Sequence, residues 1–297
     1  MMINVLVAED EPLILNSITK LIHSLDSDFI VCARAKNGLE VLQCLNSQPI
    51  NIIFTDIKMP LLNGLDLIQE IRNRSLNVPI VILSGYNDFS YAKKALKKGK
   101  HVLCEKPLAF TRVESIELYD LAKEQGVVLM EAIKAAYCPG FQQLLNVVQS
   151  GKIGEIKDVE ACFSRIARVE SRERKDPKYG GAFLEYGGNA LMPIIKILGR
   201  DYESVTFDSL NNELGTDDYT KVQIRYKNAM ATAKVGMAVK SEGQLIVAGT
   251  KGYVIAQSPW WLTEKFDVRY EDESVIEHYE PKFIGDGLRY EISEFVA

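Results

Sequence analysis

Four short apolar runs, each followed by a stretch with helical spacing, constrain the N-terminal third of this chain more than any other feature. The runs are Ile3–Ala8, Phe29–Ala35, Asn51–Thr55 and Val78–Leu83. Between them, Leu13, Ile18, Leu21 and Ile22 fall on one helical face, as do Leu39, Val41, Leu42 and Leu45, then Leu65–Ile71, then Phe89 to Leu96. Pro12 suits a first helical turn. Gly99 stops the last of these helices after a lysine-rich turn, as the negative end of a helix favours. Strands that are apolar throughout and alternate with helices belong to a parallel, doubly wound sheet covered on both faces. The stretch Gly99–Ala109 then supplies a fifth strand, Val102 to Cys104, ending in Glu105-Lys106-Pro107.

Beyond Pro107 the pattern changes. Thr111-Arg112-Val113-Glu114 is a capping box opening a helix that ends at Gly126, and Val127–Met130 is a sixth strand. Pro139–Ser150 reads as a helix, and Gly181–Leu198 as another. Around them lie Val159–Ile166, Val205–Leu210, Lys221–Tyr226, Ala229–Met237, Gln244–Val247 and Tyr253–Gln257, β-rich segments separated by turn residues. The expected fold is a flavodoxin-like α/β sheet completed by two further parallel strands, followed by an α+β domain on a largely antiparallel sheet. With no Pro/Gly/Ser-rich linker near residue 99, one α/β domain over 1–133 and a second over 134–297 are expected.

Composition narrows the function classes. A chain of 297 residues, 47% hydrophobic and 25% charged, has room for two cores. A net charge of −5 argues against a nucleic-acid surface. No apolar run approaches a membrane span, and the N-terminus lacks signal-peptide features. Five cysteines without a Cys-x-x-Cys pair, all but Cys138 among apolar neighbours, fit reduced thiols in a cytoplasm. The three histidines, His23, His101 and His278, form no metal motif.

In a doubly wound sheet the working crevice lies beyond the carboxyl ends of the strands. The residues delivered there are Glu9 and Asp10 after strand one, Asp56 after strand three and Ser84 after strand four, with Lys106 after strand five. Converging carboxylates repel one another and call for a hard divalent cation such as magnesium. A carboxylate beside such a cation, a lysine and a hydroxyl is a phosphoryl acceptor in the making. Residues 3–99 resemble the receiver domain of two-component response regulators, through Glu9-Asp10, Asp56-Ile57-Lys58-Met59-Pro60, Asn63-Gly64 and Ser84-Gly85. The resemblance implies that Asp56 is the phosphoacceptor. Magnesium would be held by Asp10, Asp56 and the Lys58 carbonyl, with Glu9 bound directly or through water. It also implies that Ser84 contacts the phosphoryl group, that Lys106 pairs with it, and that a sensor histidine kinase or a small phosphodonor supplies it. Leu103 departs from the pattern, since receivers carry an aromatic readout residue three positions before the lysine.

Residues 99–297 resemble the Gfo/Idh/MocA oxidoreductases instead. The matching stretches are Gly99–Ala109, Met130-Glu131-Ala132, Gly151–Ile156, Gly180–Gly199, and Gly249–Gly252 followed by Trp260-Trp261. This resemblance implies a lysine near a nicotinamide, here Lys106, a sugar-like alcohol substrate, and homo-oligomers through the C-terminal sheet domain. The family's Asp and His, four residues apart on one helical face, correspond to Glu185 and Asn189. An asparagine amide takes no proton at neutral pH, so either Lys106 serves as the acid/base, as in a divergent subfamily, or proton transfer is impaired. Lys134 and Tyr137 are further candidates for the cleft, and Trp260-Trp261 fits a substrate wall, a dimer surface or core.

The glycine-rich loop of a dinucleotide fold has no counterpart after the first strand, where Glu9-Asp10-Glu11-Pro12 stands. A pyrophosphate beside these carboxylates would meet repulsion on the order of several kcal/mol at an intermediate dielectric. NAD(P) binding is therefore not expected, and dehydrogenase activity is expected to be absent. Both resemblances place a Lys-Pro after strand five, so an in-frame join near 97–100 preserves strand register. Such a join reads as a natural fusion, or as an engineered or recombined chimera without evolved activity. The last residues, Phe295-Val296-Ala297, fall inside an amphipathic helical pattern, as in a truncated chain.

Overall fold

The computed structural model describes residues 2–25, 28–83, 89–284 and 287–296. Ser84 and Gly85 lie outside the described residues. The chain forms two compact units, Met1–Asn87 and Asp88–Ala297.

In the first unit, strands β1 (Ile3–Ala8), β2 (Phe29–Ala35), β3 (Ile52–Asp56) and β4 (Ile80–Leu83) alternate with helices α1 (Pro12–Leu25), α2 (Gly38–Ser47) and α3 (Gly64–Asn73). All neighbouring strands run parallel, in the order β2-β1-β3-β4. Successive residues of β1 serve opposite faces, as strand geometry requires. Leu6 and Ala8 pack with Leu67 and Ile71 of α3 and Val41 of α2. Val5 and Val7 pack with Leu15 and Ile22 of α1. Two-sided burial is the reason β1 is apolar at every position from Val5 to Ala8.

The second unit opens with α4 (Phe89–Lys97), β5 (Val102–Glu105), α5 (Arg112–Gln125) and β6 (Leu129–Ala132). Thr111 and Glu114 form the expected capping box, and Gly126 closes α5 with φ +63°. The two strands pair in parallel as a sheet of their own. This differs from the expected α/β domain over 1–133. Leu96 and Ala92 of α4 share a core with Leu118 and Ala122 of α5, so these elements go with the C-terminal unit.

A 3-10 turn (Lys134–Tyr137) leads into α6 (Pro139–Gln149), β7 (Ile156–Ser164), α7 (Arg172–Lys175) and α8 (Ala182–Leu198). Seven more strands follow: β8 (Ser204–Asn211), β9 (Asp217–Arg225), β10 (Met230–Gly236), β11 (Leu245–Gly249), β12 (Gly252–Ala256), β13 (Phe266–Tyr270) and β14 (Ile276–Tyr279), then α9 (Leu288–Val296). They build an eight-stranded sheet in the order β14-β13-β12-β11-β7-β10-β9-β8. Within this sheet β7 and β10 pair in parallel, and the other described pairs are antiparallel. Helices α6 and α8 cover one face, with Phe141, Leu144 and Ile194 in a core shared with Val159, Val222 and Ala233. The expected helix over Gly181–Leu198 and the largely antiparallel sheet are both present. All five cysteines are free thiols, and Cys138, expected to be the least apolar in setting, is fully buried.

Among the described helices, none is long and apolar enough to cross a membrane.

Candidate functional sites in the two units

In the first unit, the loops after β1 and β3 bring Glu9, Asp10 and Asp56 together, with one carboxylate oxygen of each lying within 4.8 Å of the others. The backbone fixes this meeting. The Glu9 amide donates to Ala35 O at 3.0 Å, continuing the β1–β2 ladder one residue past the strand. Its side chain is 5% exposed, and Oε1 accepts the Glu11 amide at 3.0 Å. Burial pushes the Glu9 carboxyl above its ordinary range, and the nearby charges of Asp56 and Asp10 push the same way, against the Glu11 hydrogen bond. Asp56 Oδ2 accepts the Lys58 amide at 3.2 Å, which sets the rotation of the carboxylate.

The Asn63-Gly64 pair has a steric reason. A Cβ on Gly64 would stand 2.2 Å from the Asp56 carbonyl oxygen, and the Gly64 amide donates to Ile57 O at 3.0 Å. Asn63 caps α3 by accepting the Asp66 amide at 3.0 Å. The loop carrying Asp56 is thus held against the start of a helix that only glycine can open.

In the second unit, Lys106 Nζ donates to Glu185 Oε1 at 2.6 Å and to the Glu185 carbonyl oxygen at 2.9 Å. It also lies 5.7 Å from the centre of the Tyr186 ring, within cation–π range. Glu185 and Asn189 sit four residues apart on α8, both half-buried. The double glycine before α8 is again steric. A Cβ on Gly180 would meet the carbonyl oxygens of Asp176 and Glu173 at 2.5 Å. Gly181 has φ +109°, and a Cβ there would stand 2.1 Å from Asp217 Oδ1.

Two carboxylates to which the sequence assigned no role hold this arrangement, Asp217 and the Glu131 of the Met130-Glu131-Ala132 stretch. Asp217 Oδ2 accepts the Phe183 amide at 2.8 Å, capping α8 two residues before Glu185. Glu131 Oε1 accepts the Leu108 amide at 2.9 Å, the first amide after Pro107 and so the first the Lys106 turn can offer. Both bonds join residues far apart in sequence, which no local motif betrays.

Trp260 and Trp261 separate into different roles. Trp260 is fully buried and donates Nε1–H to Cys162 O at 2.8 Å. Trp261 packs on Phe163 with centroids 4.2 Å apart, and Phe163 packs on Tyr186 at 5.0 Å. An aromatic row thus runs to the ring beneath Lys106. Tyr137 lies by α9, where burial, then Glu294 and Glu291, raise its pKa. Leu103 lies on β5 opposite Met130.

Residues 5–116 match the family described as the response regulator receiver domain, and residues 141–255 match the GFO/IDH/MocA C-terminal domain. The chain joins a receiver segment to a GFO/IDH/MocA segment. The receiver match extends past Lys106 into α5, beyond the residue 99 at which the resemblance was expected to end. Among curated proteins, the uncharacterized oxidoreductase YhhX of Escherichia coli K12 is 32% identical over 192 residues, 64% of this chain and 55% of that protein. Trans-1,2-dihydrobenzene-1,2-diol dehydrogenase of Xenopus laevis is 29% identical over 191 residues, 60% of this chain and 57% of that protein. The chain thus matches a little over half the length of these relatives. Among solved structures, an inositol dehydrogenase homolog from Azotobacter vinelandii, in complex with NAD+, shares the fold with a TM-score of 0.70 at 18% identity, over 97% of this chain and 79% of that one.

Proposed function

We propose that the receiver segment is a phosphoacceptor and that Asp56 takes the phosphoryl group. The observation that carries this reading is the meeting of Glu9, Asp10 and Asp56 within 4.8 Å. The donor set fits a hard divalent cation, since three carboxylates this close repel one another and Glu9 is already pushed toward its protonated form. Asp10, Asp56 and the Lys58 carbonyl would hold magnesium, with Glu9 as a direct or water-linked partner. When bound, the cation neutralises these carboxylates and the phosphoryl oxygens. Asp56 attacks phosphorus through a carboxylate oxygen. The bond from phosphorus to the donor's nitrogen or oxygen breaks, and the donor keeps the electron pair. The Lys58 amide on Oδ2 orients the carboxylate for this attack. Ser84 is the proposed contact to the phosphoryl oxygens, and a sensor histidine kinase or a small phosphodonor is the proposed source.

Dinucleotide binding does not fit the same turn. Glu9 Oε1 already occupies the Glu11 amide beside the start of α1, where a dinucleotide fold receives pyrophosphate, and Asp10 adds a second negative charge.

The Lys106–Glu185 pair favours a second reading for the other segment. With Tyr186 and the Phe163–Trp261 row beside it, this is the wall of an oxidoreductase-type site for a sugar-like alcohol. Asn189 contributes no acid or base there.

Incubation of the full chain with acetyl phosphate and magnesium, followed by intact mass, tests the first reading. One added phosphoryl group is expected in the wild type and none in Asp56→Asn. Equal uptake by both proteins, or uptake by neither, would overturn it.

A further inference from the structure

The chain that carries Phe163 stays bonded to the sheet beyond the end of β7. The Arg165 amide donates to Gly236 O at 3.0 Å, and the Ala167 amide donates to Met237 O at 2.8 Å. Side chains two residues apart on such a stretch share a face. Phe163 and Ala167 both pack against the core that α8 covers, and Arg165 stands between them on that side. This side leads to the Lys106 pair. Phe163 packs on the Tyr186 ring at 5.0 Å, and Lys106 Nζ lies 5.7 Å from the centre of the same ring. Arg165 acts on the phenol of that ring. Burial raises the Tyr186 pKa and the Glu185 charge adds to it, while the Arg165 guanidinium works the other way.

Residues 165–178 carry six basic side chains against three acidic ones, in a chain whose net charge is −5. The three acids are all engaged. Glu170 pairs with Lys175, Glu173 faces Arg172 at 3.9 Å, and Asp176 accepts the Lys178 and Tyr179 amides. Arg174 is held by Asp218 at 3.1 Å, and Lys106 is matched by Glu185. Arg165 is exposed, and among the described residues its guanidinium makes no hydrogen bond or ion pair. Arg168 is also unmatched, but it falls outside the alternation of Phe163, Arg165 and Ala167.

We propose that this site takes an anionic sugar derivative, with a carboxylate or a phosphate forked by Arg165. Its hydroxyls are set against Tyr186 and the Lys106–Glu185 pair. The inference rests on the reading of that pair as a site for a sugar-like alcohol, and it adds the charge of the ligand. A guanidinium presents parallel N–H donors that match two oxygens of a carboxylate or phosphate, which a neutral hydroxyl cannot use. The ion pair beside it is already neutral, so the unmatched charge at Arg165 is the one that selects between ligands.

The test is isothermal titration calorimetry of the full chain with gluconate, glucose 6-phosphate and glucose. One of the two anions is expected to bind at least about tenfold more tightly than glucose, and which one does so tells carboxylate from phosphate. Arg165→Gln is expected to bring that anion down to the level of glucose and to leave glucose itself unchanged. Arg168→Gln removes the same charge from the same segment and is expected to change the affinity by less than about twofold. Melting temperatures check that both variants keep the wild-type fold. Anion binding indifferent to Arg165→Gln, or weakened equally by Arg168→Gln, would overturn the proposal and leave the sugar site standing. Equal affinity for glucose and both anions would do the same. Binding of none of the three would overturn the underlying reading and the proposal with it.

Discussion

At the ends of β1 and β3 three carboxylates crowd to within 4.8 Å of one another, whereas at the start of α8 one carboxylate faces an ammonium 2.6 Å away. In the first arrangement the charges repel one another. The second is neutral as it stands. Both rest on a glycine pressed against a backbone or a capping acid, Gly64 on Asp56 O and Gly181 on Asp217 Oδ1. The two segments thus share a way of locking a helix start beside a charged residue. The receiver segment thus gathers like charges, and the other segment pairs opposite ones.

Removing the lock is the strongest way to break the comparison. Gly64→Ala forces a Cβ to 2.2 Å from the Asp56 carbonyl oxygen, so the loop must move. A loss of about 2–4 kcal/mol in urea unfolding is expected, with the loss confined to the transition of the first unit. A wild-type midpoint would show that the loop does not need this approach.

Removing one half of the ion pair comes next. The Lys106 and Glu185 side chains are 23% and 24% exposed, so Lys106→Met strands a largely desolvated carboxylate. A cost of about 1–3 kcal/mol is expected, with Lys106→Met/Glu185→Leu recovering most of it. Equal losses in the single and double variants would show that the pair is not coupled.

The smallest effect is expected at Glu9. Its folded pKa is raised, chiefly by burial. The folded state therefore holds this proton more tightly than the unfolded chain, and stability falls as pH rises from the ordinary carboxylate value through the folded one. Glu9→Gln removes that penalty, so the metal-free variant should melt slightly higher than the wild type at neutral pH and equally in acid. Magnesium should raise the wild-type melting temperature more than that of the variant. A variant less stable than the wild type at neutral pH would contradict this assignment.

Much of this was legible in the sequence. Glu9, Asp10 and Asp56 follow apolar runs directly, and in a doubly wound sheet that position fixes where a residue goes. Glu185 and Asn189 were legible only through the resemblance to the Gfo/Idh/MocA oxidoreductases, whose paired positions on one helical face they occupy. Asp217 and Glu131 were not, because each acts by accepting a backbone amide from a distant segment, Phe183 or Leu108. The division into compact units at Asn87/Asp88 was not legible for a related reason. Unbroken strand–helix alternation does not say which helix packs with which strand, and α4 packs with α5. The short strands β13 and β14 were not legible either, since Phe266–Tyr270 and Ile276–Tyr279 are brief and interrupted by polar residues.

The most direct test of the account is chemical trapping of the acyl phosphate. After incubation with acetyl phosphate and magnesium, borohydride reduces an aspartyl phosphate to homoserine, and peptide mass spectrometry locates the product. Homoserine at position 56, dependent on magnesium, is the predicted result. Homoserine at another aspartate, or its absence under conditions that phosphorylate a known receiver, would contradict it.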